Sequence, residues 1–131
     1  MKKPTILTVD DSVSIRKMIV INLENAGYRV IEAQNGVEAI AKLAETQVDL
    51  IITDLNMPKM DGLSLLQHLR ADPNHRFTPV LLLTTESDAA LRNQGKDLGA
   101  NGWIVKPFKG QDQLLRAVHK FVPAPGAPGV A

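Results

Sequence analysis

Asp10, Asp11 and Asp54 carry the chemistry that this sequence has to offer. The apolar run Thr5-Ile6-Leu7-Thr8-Val9 ends on Asp10-Asp11, and the run Asp49-Leu50-Ile51-Ile52-Thr53 ends on Asp54. Two strands then each deliver carboxylates at their C-terminal tips. In a parallel sheet those tips share one edge, the edge at which open α/β folds bind ligands. Acids gathered there repel one another unless a cation sits among them. A divalent metal that prefers oxygen answers this need: Mg²⁺ first, with Mn²⁺ as a substitute. Two or three carboxylates and a loop carbonyl such as that of Asn56 would suit it. Thr84 and Thr85 end a third apolar run, and Lys106 ends a fourth. Lys106 adds a mobile point charge of the kind that binds phosphate, and Thr84 adds a hydroxyl donor. Metal, ammonium and hydroxyl around one carboxylate make a site for a phosphoryl group. Asp54 is the acceptor, because it is central while Asp10 and Asp11 are free to hold the ion.

Each of these residues has a plainer explanation when taken singly. Asp10 alone would be a helix cap or turn residue, Lys106 a solvated lysine and Thr84 a structural hydroxyl. The functional reading rests on the placement of five such residues on one edge. His68, His75 and His119 share no spacing and read as surface residues without a metal. Met57-Pro58 and Asp61-Gly62 read as turn residues. The other Arg and Lys residues read as solvated faces.

The elements that must position these residues alternate between strand and helix. Ile6 to Val9 is a short buried strand. Ser12 caps a helix with an apolar face of Ile15, Met18, Ile19 and Leu23, and Gly27 stops it. Tyr28 to Glu32 is a more polar strand, suited to a sheet edge. Asn35 and Glu38 start a second helix that buries Val37, Ile40, Ala41 and Ala44. Leu50 to Thr53 is a buried strand, and Leu63, Leu66 and Leu69 mark a third helix. Val80 to Thr84 is the most apolar strand and reads as central. Ser87 opens a weak fourth helix with Gly95 inside it and only Ala90, Leu91 and Leu98 for apolar contact. Trp103 to Val105 is the fifth strand. Leu114, Leu115, Val118 and Phe121 line the last helix. Five alternations predict a doubly wound, flavodoxin-like α/β sandwich with a parallel sheet in the order 2-1-3-4-5. Its switch point lies between the first and third strands, which carry the acids.

Bulk properties set the limits. The chain has 131 residues, 44% of them hydrophobic, enough for one core. One unit over residues 1–122 and a disordered Pro/Gly/Ala-rich tail over 123–131 are expected. A net charge of +1, from 15 basic and 14 acidic residues, offers no footprint for nucleic acid or an anionic membrane. With no cysteine, thiol catalysis, disulfides and thiolate metal sites are excluded. No run is long enough for a membrane span, so a cytoplasmic monomer is expected.

Asp10-Asp11, Asp54 within Asp-Leu-Asn-Met-Pro-Lys-Met-Asp-Gly, Thr84 and Lys106-Pro107-Phe108, in this order, closely resemble the receiver domains of bacterial two-component response regulators. The resemblance covers about residues 4 to 122. It implies that a histidine kinase phosphorylates Asp54, with Mg²⁺ held by Asp11, Asp54 and the Asn56 carbonyl and with Asp10 assisting. It also implies that Thr84 and Lys106 contact the phosphoryl group and that the Lys106-Pro107 bond is cis. Met-Pro-Lys-Met-Asp-Gly, Thr-Thr-Glu-Ser and Gly-Trp-Ile-Val-Lys-Pro-Phe look most like the single-domain CheY-like chemotaxis regulators, which act on the flagellar motor switch. In the family, the position before Ile104 usually holds Tyr or Phe, whose ring turns inward on activation. Here it is Trp103, larger and with an N–H that wants a partner, so the indole is expected to stay outward. The target should bind the face built from the fourth helix, fifth strand and last helix. Asn56, Thr85 and Glu86 flank the site and are expected to tune dephosphorylation, alone or with a helper phosphatase.

The alternatives are a phosphorelay intermediate, a phosphate sink, or the receiver part of a longer DNA-binding regulator. An enzyme of another class, a Mg-dependent aspartyl phosphatase, would want an Asp-x-Asp pair. Asn56 stands where its second acid would be. A nucleotide or flavin carrier would want a phosphate-binding loop after the first strand, where Asp10-Asp11 repel phosphate.

Overall fold

The computed structural model describes residues 3–55, 57, 59–85, 89–106 and 111–123. Ten elements alternate along the chain: β1 (Thr5–Val9), α1 (Val13–Asn25), β2 (Arg29–Ala33), α2 (Gly36–Glu45), β3 (Leu50–Asp54), α3 (Gly62–Ala71), β4 (Val80–Thr84), α4 (Ala89–Asp97), β5 (Gly102–Val105) and α5 (Gln111–His119). All strand pairs are parallel, in the order β2-β1-β3-β4-β5. The predicted topology is therefore the observed one. β2 lies at an edge, as its polar character suggested. β3 holds the middle, and β4, the most apolar strand, lies inside the sheet between β3 and β5, as the predicted order requires.

Both faces of the sheet are covered. Leu7, Val9, Ile51, Val80 and Leu82 pack on one side with Ala39 and Leu43 of α2 and Leu65, Leu66 and Leu69 of α3. Ile6, Leu50, Ile52, Leu81, Leu83 and Ile104 pack on the other with Ile19 and Leu23 of α1 and Leu114 and Val118 of α5. Alternate residues of each strand point to opposite layers, so a strand buried on both sides reads as a continuous apolar run. The Ser12 side chain accepts from the Ile15 amide at 3.3 Å, and that of Asn35 from the Glu38 amide at 2.9 Å, so both predicted caps form.

Three expectations fail, for packing reasons. In α2 the inward residues are Gly36, Ala39 and Leu43, while Val37, Ala41 and Ala44 are exposed. Two apolar stripes lie one residue apart there, and spacing alone selects the wrong one. In α4, Ala90 is exposed and Gly95 is the buried residue. The glycine read as a weakness is the point at which the helix meets the sheet. His75 is buried rather than on the surface, and its Nδ1 has no partner among the described residues.

Candidate functional site

Four strand ends build the site. β1 hands over to Asp10, which is fully buried, and to Asp11, which is exposed. Asp54 is the last residue of β3 and is 8% exposed. One carboxylate oxygen from each of Asp10, Asp11 and Asp54 lies within 4.8 Å of the others, the one such cluster of potential metal ligands among the described residues. The pairing of β1 with β3, Val9 opposite Thr53, brings the acids level.

Lys106 leaves the end of β5 and reaches both buried acids. Its Nζ is 3.3 Å from Asp10 Oδ2 and 3.2 Å from Asp54 Oδ1. Asp54 Oδ1 also accepts from the Leu55 amide at 2.9 Å, and Asp10 Oδ1 accepts from the Ser12 amide at 2.9 Å. These bonds fix the planes of both carboxylates. Burial raises the Asp54 pKa above its ordinary value, and the Asp10 charge adds to the rise. Lys106 and the Leu55 amide pull it down without cancelling the effect. Burial works to lower the Lys106 pKa, but the two carboxylates outweigh it and hold the ammonium above its usual range. The protein thus concentrates negative charge at Asp54 and supplies one cation of its own.

Thr84 ends β4 beside Asp54's strand, with Asp54 opposite Leu83 in register. Its hydroxyl is buried and has no hydrogen-bond partner among the described residues. An unsatisfied buried hydroxyl costs about 1–3 kcal/mol, so this oxygen is available to an incoming acceptor. Thr85 follows and is exposed. Trp103 lies on β5, 45% exposed, with the Arg92 guanidinium carbon 5.3 Å from its ring centre. Asn56, Glu86, Pro107 and Phe108, together with Ser87 and the tail from residue 124, lie outside the described residues.

Sequence reasoning missed two supports. Arg16, taken for a solvated charge, is buried: its Nη1 donates to the Asp10 carbonyl at 2.8 Å and its Nε to Glu32 at 3.1 Å. It braces the turn that carries both acids. The available signal was its place on the buried stripe of α1 with Ile19 and Leu23, at i, i+3 and i+7. Gly62, read as a turn residue, starts α3 against the end of β3. A Cβ there would lie 2.3 Å from the Asp54 carbonyl oxygen, so the close approach of backbone requires glycine. Asp61 caps the same helix, accepting from the Ser64 amide at 2.8 Å.

The donor set fits a hard divalent cation: three carboxylates, no sulfur and no imidazole. The pair of a cation site and an ammonium around one anchored carboxylate suits transfer of a doubly charged group to Asp54.

The family profile described as response regulator receiver domain matches residues 6–119. The chain is 41% identical over 111 residues to the transcriptional regulatory protein ResD of Bacillus subtilis, covering 85% of this chain and 45% of ResD. It is 43% identical over 108 residues to the chemotaxis protein CheY1 of Helicobacter pylori, covering 81% of this chain and 87% of CheY1. The structure of the chemotaxis response regulator CheY4 of Vibrio cholerae superposes with a TM-score of 0.86 at 41% identity, covering 92% of this chain and 100% of CheY4. The chain spans about half the length of the transcriptional regulators it matches.

Proposed function

The chain belongs to the response regulator receiver domain family, and from that premise we propose that it is a binding switch set by phosphorylation of Asp54. The family is one of signalling proteins rather than classical enzymes, and its members bind Mg²⁺ through acidic residues and interact with histidine kinases and downstream targets. The observation that carries the reading is the convergence of Asp10, Asp11 and Asp54 around one point, with Lys106 bridging two of them.

Asp10, Asp11 and Asp54 would hold the Mg²⁺ or Mn²⁺, with the Asn56 carbonyl as the further ligand that the resemblance implies. When bound, the ion offsets negative charge and orients the phosphoryl oxygens. An Asp54 carboxylate oxygen attacks phosphorus in line. The P–N bond of the donor phosphohistidine breaks, the imidazole nitrogen takes the electron pair, and an acyl phosphate forms on Asp54. Lys106 turns its ammonium to the new charge, and the unpartnered Thr84 hydroxyl donates to a phosphoryl oxygen. Catalysis by this chain concerns only its own phosphorylation and dephosphorylation, tuned by Asn56, Thr85 and Glu86 or by a helper phosphatase.

The output surface is the face of α4, β5 and α5, and its target is a protein such as the flagellar motor switch. The near-complete span of CheY1 supports a chemotaxis role. The half-length match to ResD favours a second reading, the receiver part of a DNA-binding regulator. Both leave the chemistry at Asp54 unchanged. No described helix is long and apolar enough to cross a membrane.

Titration with Mg²⁺, followed by Trp103 emission and by the rate of labelling with acetyl phosphate, tests the site. Asp11→Ala should weaken the metal response and slow labelling. An unchanged titration in that variant would refute the metal site.

A further inference from the structure

We infer that Arg70 is a positioning residue that pins the C-terminal end of α4, so that phosphorylation displaces this helix from its N-terminal end. The inference rests on Asp54 and Thr84 being the phosphoryl site.

Arg70 lies in the last turn of α3 and, among the described residues, has no carboxylate as a hydrogen-bond partner. Its Nε and Nη2 donate to the Gly99 carbonyl at 3.1 and 2.9 Å. Nη2 also donates to Asn101 Oδ1 at 3.0 Å. Nη1 donates to the carbonyls of His75 at 3.0 Å and Thr78 at 2.9 Å. A guanidinium has five N–H groups, and these bonds employ all of them. The same Asn101 oxygen accepts from the Val80 amide at 2.9 Å, which joins the cluster to the start of β4. One side chain therefore binds the turn after α4, the loop after α3 and, through Asn101, the sheet. Burial lowers the Arg70 pKa, as expected of a guanidinium spent on neutral oxygens.

The hold on α4 is graded along its length. Gly95 is seated so closely on Leu82 that a Cβ would lie 2.4 Å from Leu82 Cδ1 and 3.5 Å from Leu63 Cδ2. Toward the other end, Leu91 and Arg92 are half-buried, and Ala89 and Ala90 are exposed. That loose end follows Thr84 by five residues, so a movement of Thr84 toward a phosphoryl group reaches it first. The six residues from Gly95 back to Ala89 span about 9 Å, and over a lever of that length a tilt of about 13° at Gly95 becomes a displacement of about 2 Å at Ala89. Arg92, stacked on Trp103, travels with the moving part and carries the change to β5. Lysine could not replace Arg70, because an ammonium lacks the planar fork that serves several carbonyls at once.

Amide hydrogen exchange on the full chain tests this, in Mg²⁺ alone and in Mg²⁺ with beryllofluoride as a phosphoryl mimic. The variants are Arg70→Ala, Arg70→Lys and Leu43→Ala, the last a core substitution away from α4 that controls for global destabilisation. In the unmodified protein, beryllofluoride should change protection at residues 89–93 and leave residues 95–101 as they were. Arg70→Ala and Arg70→Lys should lower protection at residues 98–101 by about tenfold or more in both conditions. In these variants the beryllofluoride response should spread along the whole helix, whereas Leu43→Ala should show neither effect. Equal responses at both ends of α4 in the unmodified protein would overturn the inference, as would Arg70 variants that match Leu43→Ala. If beryllofluoride leaves the Thr53–Leu55 amides unaffected, the phosphoryl-site reading fails instead. The Mg²⁺-only comparison of Arg70→Ala with Leu43→Ala then still decides whether Arg70 pins the helix.

Discussion

Asp54 is held in a place that disfavours its own charge. Burial and the neighbouring Asp10 raise its pKa from the ordinary 3.8, and Lys106 compensates only in part. The folded state therefore binds this proton more tightly than the unfolded chain does. Without metal, its contribution to stability is favourable at low pH. It declines as pH rises from the ordinary carboxylate value through the raised folded one. Asp54→Asn removes the titration. At neutral pH and without metal this variant should have the higher denaturant midpoint, and the gap should close at acid pH. Mg²⁺ should stabilise the unmodified protein and act more weakly on the variant. A lower midpoint for Asp54→Asn at neutral pH would contradict this electrostatic account. Residue types at strand ends were enough to expect Asp10, Asp11, Asp54, Thr84 and Lys106 on one edge of the sheet, and the structure places them there. Arg16 and Arg70 escaped notice because an arginine that ties loops together is recognised by the carbonyls it serves, and these lie outside its own helix.

Among the elements, α4 and β5 carry the readable signal. Trp103 is the chain's single tryptophan, is half-exposed and lies under Arg92, so its emission reports the position of α4. Mg²⁺ with beryllofluoride should change that emission modestly, with the indole remaining outward, and Thr84→Ala should blunt the change. A large blue shift would mean that the ring buries itself on activation and that the outward indole is wrong. At this scale periodicity found Ile19 and Leu23 of α1 and Leu114 and Val118 of α5, all buried. It failed in α2, where Val37, Ala41 and Ala44 compete with the true stripe of Gly36, Ala39 and Leu43. In α4 a helix propensity argument misjudged Gly95, because close packing on Leu82 outweighs the conformational freedom of glycine.

For the molecule as a whole, strand order was legible because a parallel sheet with right-handed crossovers admits few arrangements once the edge strand is known. Closure of the fold was not. Tyr28, just before β2, is buried and donates its hydroxyl to the Val122 carbonyl, joining the entry to the chain's second strand to the segment after α5. Burial pushes its pKa up to about 12 from 10.0. The folded state then keeps a proton that the unfolded chain loses, so stability should fall as pH rises from about 10 toward 12. Tyr28→Phe should lose about 1 kcal/mol at neutral pH and lack that alkaline decline in a denaturant series. A variant with the same alkaline slope as the unmodified protein would remove Tyr28 from this role.

The central claim is that the chain carries its signal as an acyl phosphate on Asp54, and borohydride trapping tests it most directly. After incubation with acetyl phosphate and Mg²⁺, borohydride reduces an aspartyl phosphate to homoserine, which peptide mass spectrometry locates. The account predicts homoserine at position 54 alone, dependent on Mg²⁺ and absent from Asp54→Asn. Reduction at Asp10, Asp11 or another acid, or a phosphoryl adduct on Asp54→Asn at the unmodified level, would contradict it.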